Sequence, residues 1–142
     1  MDSLNVGHQV LYPTLLLAEV TLHPALMVAL CQSYNRLAER CAESGGRLHW
    51  VAMMPLVDMP ATLDEMRWAK EHGAVGVHKR AAEANDRPAS DSYFFPFYNL
   101  ARELELPICM HTGQPWAPVG GHYSALRSSG NVNLMSAFQC AA

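Results

Sequence analysis

The sequence contains neither G-x-G-x-x-G nor G-x-x-x-x-G-K-[ST], the loops that cradle nucleotide phosphates at a helix N-terminus. Gly73, Gly76 and Gly113 each stand alone, which disfavours the usual nucleotide chemistry of small α/β domains. No apolar run reaches the roughly 18 residues that cross a bilayer. Residues 1–5 carry neither the basic region nor the apolar core of a secretion signal. Charge is also sparse. Only 16% of residues are charged, the formal net charge is -3 and there is no Lys/Arg run, which leaves no electrostatic footprint for nucleic acid or an anionic membrane. Cys31, Cys41, Cys109 and Cys140 show no C-x-x-C or zinc-knuckle spacing and read as reduced, mostly buried thiols. Together these absences predict a soluble, cytoplasmic, globular protein.

What is present is one domain's worth of chain: 142 residues, half of them hydrophobic. Residues 6–12 read as a first strand, stopped by Pro13. His23-Pro24 opens a helix, since proline is tolerated at the first helical position. Leu26, Leu30, Tyr34, Leu37 and Cys41 then recur along one helical face until Gly45-Gly46. Residues 48–54 form a second strand, ended by Pro55. Thr62-x-x-Glu65 has capping-box spacing ahead of a helix that runs to about His72 and closes on Gly73. Residues 74–79 read as a third strand, and residues 80–92 as a polar loop ending in a helix cap at Ser90-Asp91-Ser92. Phe94, Phe97, Tyr98, Ala101 and Leu104 line the next helix, and Pro107 opens a fourth strand. Residues 114–131 read as an irregular surface loop and residues 133–140 as the beginning of another helix.

Strands and helices alternate, and their connections are long enough for right-handed parallel crossovers. The class is α/β with a parallel sheet. Four strands make half of a (β/α)8 barrel, which takes typically about 250 residues. A small doubly wound ligand-binding domain would suit the length, but its phosphate loop is missing.

Candidate chemistry gathers at Pro107-Ile108-Cys109-Met110-His111-Thr112-Gly113, an apolar run that ends in a histidine. Buried parallel strands have this appearance, and ligands bind where their carboxyl ends emerge. His111 is thus a candidate metal ligand or acid/base group; the competing reading is a core histidine satisfied by backbone. Arg80 follows the third strand, where a guanidinium can grip a substrate carboxylate in bidentate fashion, or it is an ordinary exposed loop arginine. Trp116 either walls an aromatic substrate pocket or packs locally. Thr112 either hydrogen-bonds near the site or caps the strand turn. His49 and His78 read as packing residues within strands, His8 and His23 as surface residues, and His122 as a solvated loop residue. His72 meets a helix C-terminus, where a cation is favoured. Glu83, Asp86 and Asp91 belong to the loop and cap and are assigned no chemistry.

Several ordered blocks carry a family resemblance: Val10-Leu11-Tyr12-Pro13-Thr14, Tyr34-Asn35-Arg36-Leu37-Ala38-Glu39, Arg47-Leu48 through Met54-Pro55-Leu56, Glu71-His72-Gly73-Ala74-Val75-Gly76-Val77, and His111-Thr112-Gly113. Together they resemble the amidohydrolase-related family 2, which includes aminocarboxymuconate-semialdehyde decarboxylase and related metal-dependent decarboxylases and hydrolases. The resemblance implies a distorted (β/α)8 TIM barrel with a divalent metal, commonly Zn2+, at the carboxyl ends of its strands. In the family a His-x-His pair on the first strand, a histidine on a middle strand and an aspartate on the last hold the metal, and a further histidine assists catalysis. Only the middle-strand histidine has a match, His111. The histidines stand at 8, 23, 49, 72, 78, 111 and 122, and no two are two apart.

On this resemblance residues 1–142 are an internal piece, a partial barrel domain holding the second to fifth βα units. The implied reaction is decarboxylation (carboxy-lyase) or hydrolysis of a small, aromatic or unsaturated carboxylic acid. One histidine cannot hold a catalytic zinc, which takes about three protein ligands, so the isolated chain is expected to be inactive. Open sheet edges invite self-association or a complementing chain. A different class of reading is a non-catalytic α/β module that pairs with a partner subunit through those edges.

Overall fold

Prolines and glycines set most of the element boundaries in the computed structural model, which describes residues 1–14, 20–80, 82–83 and 87–111. After a 3-10 turn at Asp2–Leu4, β1 (Gln9–Leu11) is shorter than the strand predicted over residues 6–12. The reason is local. The Arg47 guanidinium donates to the carbonyls of Val6 at 2.9 Å and Gly7 at 3.2 Å, so a side chain takes those groups instead of a ladder.

The predicted first helix is two helices, α1 (Pro24–Asn35) and α2 (Leu37–Ala42), and Gly45 and Gly46 follow with φ of 66° and 82°. Its buried face is only partly the predicted one: Cys41 is buried and Tyr34 and Leu37 pack against the core, but along α1 the stripe is displaced. Met27, Cys31 and Asn35 are buried, whereas Leu26 is 51% exposed. The stripe is shifted by one residue because its anchor is polar. Asn35 Nδ2 donates to the Met53 carbonyl at 2.9 Å and to Glu65 Oε1 at 2.7 Å, and its Oδ1 accepts from Met53 N–H at 2.9 Å.

β2 (Leu48–Met53) ends ahead of Pro55 as expected. α3 (Met59–Glu71) starts earlier than the Thr62 capping box predicted. Its cap is Asp58, which accepts from Ala61 N–H at 3.1 Å, and Pro60 lies in the first turn. Thr62 sits inside the helix and donates its hydroxyl to the carbonyls of Pro55 at 2.9 Å and Asp58 at 2.8 Å. Gly73 ends α3 with a φ of 81°, the left-handed geometry that favours glycine.

β3 (Gly76–Arg80) is buried throughout. Part of the predicted loop forms a short antiparallel pair, β4 (Ala82–Glu83) with β5 (Arg87–Pro88). Asp91 caps a 3-10 turn at Ser92–Phe94 by accepting from Tyr93 N–H at 2.8 Å. α4 (Phe95–Glu103) buries Phe97, Leu100 and Ala101, and β6 (Ile108–His111) follows Pro107. The predicted elements over residues 114–140 lie outside the described residues.

The main sheet is parallel, in the order β1-β2-β3-β6. Trp50, Ala52 and Val77 face the helices, where they meet Met66, Ala69, Phe94, Phe97 and Ala101 in one core. β1 and β6 are the outer strands, yet Tyr12 Oη, just past β1, donates to Cys109 Sγ in β6 at 3.6 Å. The sheet therefore curls into a half-barrel, as a right-twisted parallel sheet covered by helices does.

Gly76 permits a close approach of β3 to β6. A Cβ there would stand 3.0 Å from the Pro107 carbonyl oxygen and 3.1 Å from Cys109 Sγ. Gly76→Val is expected to cost about 1–3 kcal/mol by overpacking the β3–β6 contact. Urea denaturation reads this as a lower midpoint at unchanged slope, and an unchanged midpoint would refute the tight approach.

Candidate metal and substrate site

In a parallel pair, registered residues point the same way and alternate along each strand. β3 and β6 register Val77 with Ile108, His78 with Cys109, Lys79 with Met110 and Arg80 with His111. Val77 and Ile108 belong to the helix-side core, and Lys79 Nζ lies 4.0 Å over the Phe94 ring on that same side. His78, Arg80, Cys109 and His111 therefore share the opposite, concave face. Arg80 and His111 are the last residues of their strands, at the carboxyl ends where barrel chemistry sits.

The structure brings His111 and Arg80 together at one register position. Arg80 is the terminal residue of a buried strand and only 6% exposed, which corrects the exposed-loop reading. Its neighbour Lys79 is fully buried and donates from Nζ to the Arg80 carbonyl at 2.8 Å. This contact fixes the backbone from which the Arg80 side chain departs.

His78 is the residue that sequence reasoning undervalued. It is 2% exposed, and its ring centroid lies 6.0 Å from that of His111, with 36° between the planes. Burial, then the nearby Arg80, His111 and Lys79 charges, hold its pKa down to about 4, so the imidazole is neutral at physiological pH. Among the described residues its Nε2 has no hydrogen-bond partner. The sequence did hold a signal: His78-x-Arg80 alternates in step with Cys109-x-His111 at the ends of adjacent strands.

Tyr12 adds a hydroxyl to the same face. Its pKa is raised by the hydrogen bond to Cys109, by the charge that thiol would carry, and by burial. Cys109 is half-buried and Cys31 and Cys41 are buried, and none of the three is in a disulfide, as predicted.

The other histidines take structural positions. His8, exposed as predicted, stacks on His49 with centroids 5.5 Å apart, at the far end of the sheet from His111. His23 precedes α1 as its N-cap residue. His72 caps α3 and stacks on Trp68 at 4.0 Å. Trp116, Thr112, His122 and Asp86, together with the side chain of Glu83, lie outside the described residues.

Among the described residues no group of three or more His, Cys, Asp or Glu side chains is placed to hold a metal. The concave face does offer two imidazoles on adjacent strands, and one of them presents a buried, unpartnered nitrogen. Two imidazoles are donors that suit a borderline divalent ion, and they would fill only part of its coordination. No helix among the described residues is long and apolar enough to cross a membrane.

Comparison with known proteins agrees with this architecture. The amidohydrolase family model matches residues 11–133. The fold is similar to 2,6-dihydroxybenzoate decarboxylase from Rhizobium, with a TM-score of 0.74 at 22% identity over 88% of this chain and 41% of that one. It is similar to the IDCase of Metarhizium anisopliae in its apo form, with a TM-score of 0.69 at 20% identity over 89% of this chain and 35% of that one. It is also similar to a dihydroxybenzoic acid decarboxylase from Polaromonas sp. JS666 with bound manganese and the inhibitor 2-nitroresorcinol, with a TM-score of 0.57 at 23% identity over 72% of this chain and 36% of that one. The chain thus spans well under half the length of each of these structures. No curated protein sequence matches it.

Proposed function

The chain belongs to the amidohydrolase-2 family, and from that premise we propose that it contributes part of the active centre of a metal-dependent decarboxylase (carboxy-lyase) or hydrolase. The proposed substrate is a small aromatic or unsaturated carboxylic acid. Residues 1–142 are read as the second to fifth βα units of the barrel. The observation that carries this reading is the register of Arg80 with His111 at the carboxyl ends of β3 and β6. Similarity to decarboxylases of dihydroxybenzoates supports the lyase version.

His111 is assigned as a metal ligand. The ion is divalent: Zn2+ suits imidazole ligands, and the Polaromonas relative was solved with manganese. When bound, it supplies Lewis acidity to a carboxylate or acidifies a water. Arg80 is assigned to the substrate. At a buried strand end its guanidinium is placed to pair with a carboxylate in surroundings with little water to screen the pair. It thereby orients the bond that is to break. Trp116 is proposed to wall the ring of the substrate. Two nitrogen donors fall short of the three protein ligands of a catalytic zinc, so turnover is proposed to need donors beyond the described residues.

Calorimetric titration with Zn2+ and Mn2+ tests the assignment. One equivalent is expected to bind the wild-type chain, and His111→Ala is expected to weaken binding at least tenfold. Equal affinity in the variant would remove His111 from the site, and the proposal with it.

Among the described residues β1 and β6 are the edge strands of the sheet, which supports a second reading, a module that pairs with a partner subunit. Val10 and Met110 on those strands are 44% and 38% exposed. Pairing through the edges would be indifferent to His111→Ala.

A further inference from the structure

We infer that His78 is a second nitrogen ligand of the ion at His111, donating through Nε2. This rests on the reading of His111 as a metal ligand and goes beyond the ligand set that the family resemblance implies, which has no counterpart of His78.

His78 carries an uncompensated desolvation. A buried polar atom without a partner costs on the order of 1–3 kcal/mol, and native proteins keep few of them. His78 is 2% exposed, and its Nε2 has no hydrogen-bond partner among the described residues. Even the exposed His72 brings Nδ1 to 2.7 Å from the Trp68 carbonyl, and a buried histidine kept only for packing has more need of such a partner. His78 leaves its nitrogen unused on the face it shares with His111.

The geometry is within reach of a common ion. Metal–nitrogen bonds of about 2.0–2.1 Å place two imidazole centroids roughly 5 Å apart around a tetrahedral ion. The observed separation is 6.0 Å at a tilt of 36°. Displacements of about 10–15° in χ1 at each ring, within a staggered well, close the difference, and χ2, a broad torsion in histidine, then aims the nitrogens. The backbone need not move, because His78 registers with Cys109 and His111 lies two residues further along the same strand face.

Two imidazoles also select the ion. Borderline cations such as Zn2+ take nitrogen readily, whereas Mg2+ prefers oxygen, and Mn2+ stands at the weak end of the divalent affinity order. The pair therefore favours zinc over manganese and excludes magnesium at comparable concentrations. Arg80, at the same level, stays with the substrate carboxylate.

Long-range proton–nitrogen NMR of the wild-type chain during Zn2+ titration tests the inference without altering any residue. Nε2 of His78 and a ring nitrogen of His111 are expected to move together, saturating at the same zinc concentration. Movement of His111 alone would overturn the inference and leave the metal reading standing; movement of neither would overturn both. His78→Phe keeps a ring in the cavity and gives an independent measure. With its thermal midpoint close to wild type, it is expected to bind Zn2+ at least tenfold more weakly and to lose the preference for Zn2+ over Mn2+. A folded variant with wild-type affinity would refute the ligand role.

Discussion

Asn35→Leu is expected to destabilise the protein by roughly 3–5 kcal/mol, the range seen when one partner of a buried polar network is removed. The side chain is fully buried and serves two elements at once. It pairs with both backbone groups of Met53 at the end of β2, and it donates to the Glu65 carboxylate of α3 at 2.7 Å. β1 has stopped by then, with Leu11 against Trp50, so this amide stands where a strand neighbour would continue the ladder. Leucine fills similar volume but leaves an N–H, a carbonyl and a buried carboxylate without partners. Each costs about 1–3 kcal/mol, and the charged group costs most. Glu65→Gln preserves an oxygen acceptor for Asn35 and is expected to cost under about 1 kcal/mol. Urea midpoints at constant slope give both values. A loss below about 1 kcal/mol for Asn35→Leu would mean that water replaces the network. The consequence reaches the candidate site, because Met53 registers with His78.

The same residue shows why part of this fold was legible in the sequence and part was not. Hydrophobic periodicity finds helices by their apolar stripe, and α1 hangs on a polar one; Leu26, Leu30 and Tyr34 made the better pattern, yet Leu26 is exposed. The start of α3 was misplaced for a related reason. Thr62 and Glu65 have capping-box spacing but spend their polar atoms on Pro55, Asp58 and Asn35 inside the structure. Asp58 followed by Pro60 was the truer start signal. β2 was legible because buried parallel strands are continuous apolar runs between prolines and glycines, and the half-buried β6 keeps the same kind of run behind Pro107. That same rule hid His78, which looked like a polar lapse in a short apolar strand. Its meaning depends on which residue of β6 it meets, and register is a tertiary fact. His111 was legible at a strand end, and the family blocks gave it a role. Arg80 carried two readings, and burial removes the exposed-loop one.

Acidification of the metal-free protein is expected to remove roughly 3 kcal/mol of stability between pH 6.5 and pH 4 through His78 alone. Its pKa falls from 6.5 to about 4 in the folded chain, chiefly through burial and then through the charges of Arg80, His111 and Lys79. A depressed folded value means that the unfolded chain binds the proton first. Stability is therefore fully present above pH 6.5, declines as the pH falls through that window, and has lost the whole contribution below pH 4. Carboxylates titrate in the lower part of the window, so the readout is a difference. In chelator, the stability curve of wild type is expected to fall more steeply than that of His78→Phe, and the gap between them should change by roughly 3 kcal/mol from pH 7 to pH 4. Curves that stay parallel would show that His78 titrates normally and is hydrated in solution. Zinc should act in the opposite direction to acid, since a metal ligand must be unprotonated to bind and each ligand lost to a proton is lost to the metal. If His78 and His111 hold the ion together, saturating Zn2+ moves the acid transition of wild type to lower pH. His78→Phe, keeping His111 alone, should show a smaller displacement.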